Sequence, residues 1–341
     1  MTDAPAGGQG RILTQQGGRH ARIMGVGGYR PRRVVTNEHF DRTLGLSDQW
    51  ITRRTGIKTR RFAAPDETLA VMAAAAADKA LAQAGLGAAS VDCVIVASMS
   101  HLRQAPPLAA EITGLLGSAP AAAFDVGAAM AGFCYALTLA SHLVSAGTAR
   151  HAVVIGTERM SDIIDPADQS TSFIFGDGAG AVVVGPADRP GIGQVVWGSH
   201  PAGIHSIEQQ APWQPSGDPG DGPPPYLRMA GQEVYRWAIQ AMPDVARKAM
   251  AVEGLTAADL AAFIPHQSNL RICDALATAL DLPEHVRVAR DLIDMGNTSA
   301  ASIPLAMERM LASGEVASGS LALLAGYGAG LGYAAQVVWL P

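Results

Sequence analysis

Residues 124–137 read FDVGAAMAGFCYAL, and this stretch predicts the change from strand to helix around which the rest of the chain is organised. A short apolar segment passes through small residues and becomes a helical pattern that continues to about Ala146. Met130 therefore falls near the turn, where unpaired backbone N–H groups and the helix dipole favour negative charge. A methionine on an apolar helix commonly fills the core, and its thioether cannot serve as a thiolate or an oxyanion.

Outward from this stretch, the same elements occur twice in the same order. A glycine run precedes an apolar strand in each half of the chain, at residues 176–180 and 328–332. Three residue pairs also recur at one constant offset: Lys79-Ala80, Gly85-Leu86 and Ala88-Ala89 return as Lys248-Ala249, Gly254-Leu255 and Ala257-Ala258. The repetition predicts an α/β chain of two duplicated halves, 21–190 and 191–341, behind a flexible tail at 1–20.

Local patterns in the first half support this class. An apolar start and residues 25–29 predict a first strand, and Ser47 or Asp48 is a candidate cap for a following helix. The alanine-rich segment 71–84 predicts a helix closed by Gly85, and residues 91–97 predict a buried strand. A helix followed by a strand is the unit of an α/β fold.

Composition excludes several classes of function. The 341 residues are 48% hydrophobic with a net charge of −5, which indicates a globular protein with no bulk attraction to nucleic acid or anionic membrane. Cys93, Cys134 and Cys273 are scattered, so neither a disulfide framework nor a metal site is indicated, and a reducing cytoplasm fits best. The N-terminal residues lack the apolar core of a signal peptide.

Two glycine-rich features invite other interpretations. No residue from 319 to 341 is charged, but alternate glycines from Gly326 to Gly332 favour a tight turn between two buried strands over a membrane helix. A dinucleotide site is set aside because the glycine runs precede strands, whereas that fingerprint needs a helix. Residues 199–226 are rich in Pro and Gly, contain Trp213, and predict a long loop that covers a site.

Two polar residues stand at positions suited to chemistry. His266 directly follows a predicted strand, and ligands bind at the carboxyl ends of strands in open α/β sheets. Asn297 stands at the start of a predicted helix that runs to about Leu311, where a plain N-cap is the alternative interpretation. By the duplication, the Asn297 turn corresponds to the Met130 turn.

Four motifs, in this order and spacing, resemble those of β-ketoacyl-acyl-carrier-protein synthase III enzymes of the thiolase superfamily, especially actinobacterial ones that prime fatty acid or polyketide synthesis. They read FDVGAAMAGF, IFGDGAGAVVVG, IPHQSNLRI and GNTSAASIPLAM. The resemblance runs from about Arg22 to Pro341. It implies a five-layered αβαβα fold, a homodimer without a permanently bound cofactor, and a Cys-His-Asn triad that condenses an acyl group from acyl-CoA with malonyl-acyl carrier protein.

Carried over by position, the family's histidine falls on His266, its asparagine on Asn297 and its nucleophilic cysteine on Met130. A thioether leaves no stable acyl adduct, so acyl transfer should be lost or changed. Cys134 lies one helical turn farther on, where its side chain should point away. His266 and Asn297 still provide donors for the enolate that forms when malonyl loses carbon dioxide.

The resemblance also assigns residues to substrate binding. It implies contacts with CoA or substrate at Trp50, Arg54, Gln169, Tyr235 and Asn269, with Gln169 standing where the family has an arginine beside the adenine. Arg236 and Arg271 align with basic positions that attract the acidic carrier protein.

The acyl pocket is assigned to a glycine-rich turn at residues 326–328, including Tyr327 and Gly328. Met99, Leu102 and Leu108 are predicted to border it.

Three interpretations remain open at this stage. The chain is a starter-unit condensing enzyme with a deliberate Cys-to-Met substitution, a malonyl decarboxylase or altered acyltransferase, or a non-catalytic partner that binds acyl chains or carrier protein. We favour a synthase-type enzyme with impaired or changed activity, because the remaining motifs are enzyme-like. The sequence determines neither which acyl chain is accepted nor whether the pathway is fatty acid or polyketide synthesis.

Overall fold

The computed structural model describes residues 20–209, 211 and 224–341, and most of its strands form two five-stranded sheets. The strands of the first sheet are β1 (His20–Tyr29), β4 (Cys93–Ala97), β5 (Ala122–Val126), β6 (Ala152–Glu158) and β7 (Gly178–Ala187). Those of the second are β8 (Val196–Ser199), β11 (Ala262–Pro265), β12 (Arg287–Val288), β13 (Leu321–Gly328) and β14 (Gly332–Trp339). Two small antiparallel pairs are β2 (Arg33–Thr36) with β3 (Thr59–Phe62), and β9 (Ile207–Gln209) with β10 (Leu227–Met229).

The two large sheets have the same topology. The first has the order β5-β4-β6-β7-β1 and the second the order β12-β11-β13-β14-β8. In each, the first three strands are parallel and the last two pairings are antiparallel. Strands β6 and β13 therefore occupy the same central place. The first sheet draws its strands from residues 20–187 and the second from 196–339, and the boundary at 190 stays a prediction.

Helices pack in three layers around these sheets. They are α1 (Asn37–Leu44), α2 (Asp48–Thr55), α3 (Leu69–Gln83), α4 (Leu108–Leu116), α5 (Gly132–Ser145), α6 (Gly231–Val252), α7 (Leu270–Ala279), α8 (Leu292–Met295) and α9 (Ser302–Ala312). Helices α3 and α4 cover the outer face of the first sheet, and α6 and α7 that of the second. Helices α5 and α9 lie between the sheets in one shared core. The predicted five-layered αβαβα fold is confirmed.

Local chemistry explains the elements that lead to the site. Ser47 caps α2 by accepting a hydrogen bond from Trp50 N at 3.3 Å, as expected of one of the two candidate caps. The predicted helix at 71–84 is α3, which begins two residues earlier and ends one earlier. The predicted strand at 91–97 is β4, and all five of its residues are buried, as in a parallel strand covered on both faces.

The uncharged C-terminal stretch forms the antiparallel hairpin of β13 and β14. The prediction of a turn at 326–328 is wrong, because these residues are the end of β13 and the turn is the 3-10 segment Ala329–Leu331. Within the described ranges, no helix has the length and apolar character needed to cross a membrane.

The long loop predicted at 199–226 is wrong in its described part. Residues Pro201–Ser206 form a 3-10 turn there, and β9 follows it. Trp213 and the tail residues 1–19 lie outside the described residues.

Candidate active site

Two equivalent turns introduce the two central helices. Residues Ala129–Ala131 form a 3-10 turn before α5, and Ser299–Ala301 form the matching turn before α9. The first residue of each turn has a positive φ, 44° at Ala129 and 49° at Ser299. The two turns contact each other between the sheets, so the predicted correspondence of the Met130 and Asn297 turns is present in the structure.

Met130 is the middle residue of the first turn and is 2% exposed. Its side chain packs in an apolar cluster with Ala129 and Leu331, and it lies against Gly328 at the end of β13. A Cβ atom built on Gly328 would lie 2.4 Å from the Met130 sulfur and 2.6 Å from its Cβ. Only glycine at 328 leaves room for this side chain, so Met130 fills the space that Gly328 opens.

His266 directly follows β11, as predicted, and its ring is buried. Its Nδ1 lies 2.7 Å from Ser302 Oγ, which also accepts a hydrogen bond from Gln267 N at 3.3 Å. Among the described residues, His266 Nδ1 is the one hydrogen-bond acceptor beside the buried Ser302 hydroxyl, so we assign the hydroxyl proton to the bond with Nδ1. This assignment makes Nε2–H the free donor of the imidazole. Burial lowers the pKa of His266 to about 3, so the ring is neutral near pH 7.

Asn297 lies two residues before the second turn and is held by its backbone. Its N–H donates to Ile174 O at 2.9 Å, and its carbonyl accepts from Gly176 N at 3.0 Å. Its side-chain Oδ1 accepts from Ser299 N at 2.9 Å, which is an Asx turn. The N-cap interpretation is wrong, because Thr298 is the N-cap of the second turn and Ala301 that of α9. The Oδ1 atom is therefore occupied and Nδ2 is the side-chain atom left to donate to a ligand.

A cavity of about 730 Å³ leads to Asn297 from the surface. Eight of the predicted site residues line it: Trp50, Arg54, Gln169, Tyr235, Arg236, Asn269, Arg271 and Asn297. The other four, Met130, His266, Tyr327 and Gly328, are buried and do not line it. None of Met99, Leu102 and Leu108 lines this cavity, and Leu102 is 48% exposed, so their place at the border of the acyl pocket stays a prediction.

Aromatic and cationic side chains form the mouth of the cavity. The guanidinium carbon of Arg54 lies 5.1 Å from the centre of the Trp50 ring, and that of Arg271 lies 5.4 Å from the Tyr235 ring. Gln169 Nε2 donates to Leu44 O at 3.1 Å. Asn269 caps α7 by accepting from Arg271 N at 2.9 Å, so this side chain has a structural role.

None of the three thiols is suited to replace a missing nucleophile. Burial raises the pKa of Cys93 to about 11 and the pKa values of Cys134 and Cys273 to about 12. Thiolates are the reactive form, and these pKa values keep the groups protonated near neutral pH. The expectation that Cys134 does not substitute for a catalytic cysteine is consistent with its burial.

Sequence reasoning missed Ser302 and Ser268, which lie near His266 and the predicted residue Tyr327. Ser302 is the partner of His266 Nδ1, and the ring of Tyr327 meets the imidazole edge-on at 5.3 Å between centres. The Tyr327 hydroxyl is joined to Ser268 Oγ at 2.9 Å, and Ser268 lines the cavity. The sequence signal for Ser302 was its place at the start of a helix, which is typical of a cap and carries no hint of a histidine. Among the described residues, no group of three or more His, Cys, Asp or Glu side chains could hold a metal ion.

Comparison with known proteins gives one consistent family. Residues 124–201 match the family model "3-Oxoacyl-[acyl-carrier-protein (ACP)] synthase III", and residues 250–340 match the model of its C-terminal part. A β-ketoacyl-[acyl-carrier-protein] synthase III of Streptomyces glaucescens is 51% identical over 331 residues, which cover 97% of this chain and 99% of that protein. A mycobacterial enzyme of this name from Mycobacterium avium is 46% identical over 331 residues, with the same two coverages.

Solved structures agree with the sequence matches. The priming β-ketosynthase of the R1128 polyketide pathway has a TM-score of 0.93 and 49% identity, covering 96% of this chain and 98% of that one. The 3-oxoacyl-[acyl-carrier-protein] synthase III of Aquifex aeolicus has a TM-score of 0.86 and 36% identity, covering 94% and 99%. With the motifs, the fold and the paired turns, these matches show that the chain belongs to the 3-oxoacyl-[acyl-carrier-protein] synthase III family of acyltransferase-type condensing enzymes.

Proposed function

We propose that this chain takes the thioester substrates of its family but catalyses only the decarboxylation of a malonyl thioester, without acyl transfer to the protein. The observation that carries the proposal is a pair of available donors, His266 Nε2 and Asn297 Nδ2, combined with a buried thioether at position 130. Acyl transfer needs a nucleophile that can lose a proton, whereas decarboxylation needs only stabilisation of the enolate.

The proposed reaction is the loss of carbon dioxide from the malonyl group. The bond between the malonyl Cα and its carboxylate carbon breaks, and carbon dioxide leaves. The electron pair of that bond forms the enolate of an acetyl thioester, whose negative charge lies on the thioester oxygen. A proton from water then converts the enolate into the acetyl thioester. No acyl group is bound to the protein at any stage.

We propose that these two neutral donors face one substrate oxygen, an arrangement that suits this step. The imidazole is neutral because burial lowers the pKa of His266, so it stabilises the enolate by hydrogen bonding rather than by giving up a proton. Removing one donor of an oxyanion hole typically lowers a rate by about 100- to 1000-fold. The donors are held before substrate arrives, His266 by Ser302 and Asn297 by Ser299.

The cavity mouth supports delivery by CoA and by acyl carrier protein. Trp50 and Arg54 provide an aromatic surface and a cation for the nucleotide end of CoA. Arg236 and Arg271 are exposed beside the mouth and fit an acidic carrier protein. Gln169 offers no charge there, so we expect weaker affinity for CoA than a relative with arginine at this position would show.

Carbon dioxide release from malonyl-CoA and from malonyl-acyl carrier protein tests the proposal. The purified protein should release carbon dioxide faster than buffer does, and His266→Ala and Asn297→Ala should each slow it by about 100-fold. His285→Ala is the matched control, because this exposed histidine contacts Ala258 O away from the cavity. A protein that releases no carbon dioxide above the buffer rate would support the binding-partner interpretation instead.

We also propose a homodimer in the cytoplasm. Strand β5 is an edge of the first sheet, and an unpaired edge can continue a sheet into a second copy. Large apolar side chains are exposed at Leu115, 58%, and Leu102, 48%, which both precede β5 along the chain. Light scattering at micromolar concentration should give twice the 35.2 kDa chain mass, and a monomer would contradict the proposal. Three free cysteines fit a reducing compartment.

A further inference from the structure

Glu158 is a buried carboxylate at the last position of β6, and it belongs to none of the predicted site residues. Its oxygens accept from Ser100 Oγ at 2.5 Å, Met99 N at 3.1 Å, Ser100 N at 3.2 Å and Ser98 Oγ at 3.2 Å. Ala300 N donates to it at 3.4 Å from the second turn. A buried carboxylate surrounded by donors holds those donors in place, because leaving any of them unpaired is costly.

The donors belong to two segments that meet at the end of β6. Residues 98–100 directly follow β4, and Ala300 is the middle residue of the turn before α9. Ser299, its neighbour in that turn, donates from its backbone to Asn297 Oδ1. Glu158 and Asn297 therefore each accept a hydrogen bond from a backbone N–H of the same turn. A shift of this turn would move the amide that faces the cavity.

Comparison of the two duplicated halves shows which residue of the other half is equivalent to Glu158. We name the first junction as the turn Ala129–Ala131 with Gly326 and Gly328, and the second junction as the turn Ser299–Ala301 with Gly156 and Glu158. Gly326 approaches Ala131 and Gly156 approaches Ala300 so closely that an added Cβ would lie 3.2 Å from Ala131 Cα and 2.2 Å from Ala300 O. Two residues after these glycines, each central strand ends, at Gly328 and at Glu158.

Glu158 and Gly328 thus hold equivalent positions with opposite consequences. Gly328 has no side chain and leaves a space beneath the middle residue of the first turn, Met130. Glu158 fills the equivalent space and hydrogen-bonds the middle residue of the second turn, Ala300. The first junction therefore has room for the side chain at position 130, whereas the second is filled by the Glu158 carboxylate.

We infer that Glu158 is a positioning residue for the reaction, which fixes the second turn so that Asn297 Nδ2 points at the substrate oxygen. The inference rests on the proposed function, since it acts through Asn297. Glu158 is fully buried and does not line the cavity, so it has no direct part in the chemistry. Burial raises the pKa of Glu158, and the donors around it oppose this rise. Burying the charged carboxylate is therefore unfavourable, and the hydrogen bonds to the two segments offset part of that cost.

A double-mutant cycle tests this inference. Glu158→Gln places an amide N–H against backbone N–H groups, and we expect kcat for carbon dioxide release to fall at least 10-fold with KM changed less than threefold. In the Asn297→Ala background the same substitution should cost less than twofold, because the amide it positions is already absent. Equal losses in both backgrounds would overturn the inference.

Two variants separate positioning from general destabilisation. Glu67→Gln is the matched control, because Glu67 is a similarly buried carboxylate that accepts from Tyr29, Arg32 and Ala64, none of which lines the cavity. It should lower the Tm by a similar amount and leave kcat within twofold. If Glu158→Gln does not fold, Ser100→Ala removes the shortest hydrogen bond to Glu158, together with the one that Ser100 Oγ accepts from Arg159 N, and should still lower kcat two- to fivefold. An unchanged kcat would overturn the inference.

The cycle is repeated in the Met130→Cys background with condensation as the readout, so the inference does not depend on decarboxylation by the wild-type chain. If the wild-type chain releases no carbon dioxide, the proposed function fails, but condensation still requires Asn297. If the cycle shows no coupling between Glu158 and Asn297 in either background, the inference about Glu158 is wrong, whether or not the proposed function holds.

Discussion

The first and second junctions share one arrangement of turn and strand but differ in the side chains that fill it. Both consist of a 3-10 turn, a close glycine on the central strand, and the last residue of that strand two positions later. The first junction ends in Gly328 and holds a buried methionine, whereas the second ends in Glu158 and is closed by hydrogen bonds. After a duplication, one copy of a turn can carry the reacting group while the other becomes a support for its neighbour.

The largest effect should come from restoring a thiol at the first junction. Met130→Cys places a thiol near a helix start, where a lowered pKa favours the thiolate. We expect intact-protein mass spectrometry with a short acyl-CoA to show one acyl adduct in the variant and none in the wild type. Condensation with malonyl-acyl carrier protein should appear at the same time.

Its control is Cys134→Ala in the same background, which should leave the adduct in place because the Cys134 thiol is fully buried. An acyl adduct on the wild-type chain would show that a nucleophile other than a residue at position 130 accepts the acyl group. A folded Met130→Cys protein that neither acylates nor condenses would mean that more than the cysteine has been lost.

The two junctions should also respond differently to a single added methyl group. Gly156→Ala directs a Cβ against the backbone oxygen of Ala300, which cannot move without shifting the turn. Overpacking of this kind typically costs about 1–3 kcal/mol in the free energy of unfolding. Denaturant unfolding should show this loss, and no substitution at position 130 should relieve it.

Gly328→Ala should instead be relieved by its neighbour, because the added Cβ meets the Met130 side chain. We expect the double variant Gly328→Ala, Met130→Ala to be more stable than the sum of the two single losses by about 1 kcal/mol or more. Strict additivity in urea unfolding would show that Met130 does not fill the space at Gly328.

A smaller effect is expected at the support of His266. Ser302→Ala removes the partner of Nδ1, so the imidazole can rotate or adopt the other tautomer. We expect about a 10-fold loss of kcat for carbon dioxide release with little change in KM. Ser302→Thr keeps the hydroxyl and should recover part of the rate. If Ser302→Thr recovers none of the rate, the loss comes from the packing of α9 rather than from the hydroxyl.

The smallest effect concerns stability against pH. The pKa of His266 is lowered to about 3 in the folded chain, while the ordinary value is 6.5. Below pH 6.5 the unfolded chain binds a proton that the folded chain refuses, so stability falls as the pH drops toward 3. Between pH 7.5 and 5.5, wild type should lose about 1 kcal/mol more than His266→Gln in urea unfolding. Equal losses would mean that His266 titrates normally.

Local patterns predicted much of the fold because they depend on neighbouring residues. The five buried apolar residues of β4, the cap at Ser47 and the turn at Met130 follow from hydrophobic period and backbone chemistry. The placing of His266 after β11 also follows, since the strand directly precedes it. The prediction of a turn at 326–328 failed because the glycines there serve close packing against Met130 and Ala131 rather than chain reversal.

By itself, the sequence determined the α/β class, the repeated order of elements, the family and the absence of a thiol at position 130. Tertiary structure alone decided that Ser302 orients His266, that Gly328 makes room for Met130, and that Glu158 closes the second junction. These partners lie 36 to 198 positions apart. No local pattern encodes such contacts, because they exist only when the two sheets pack against the same pair of central helices.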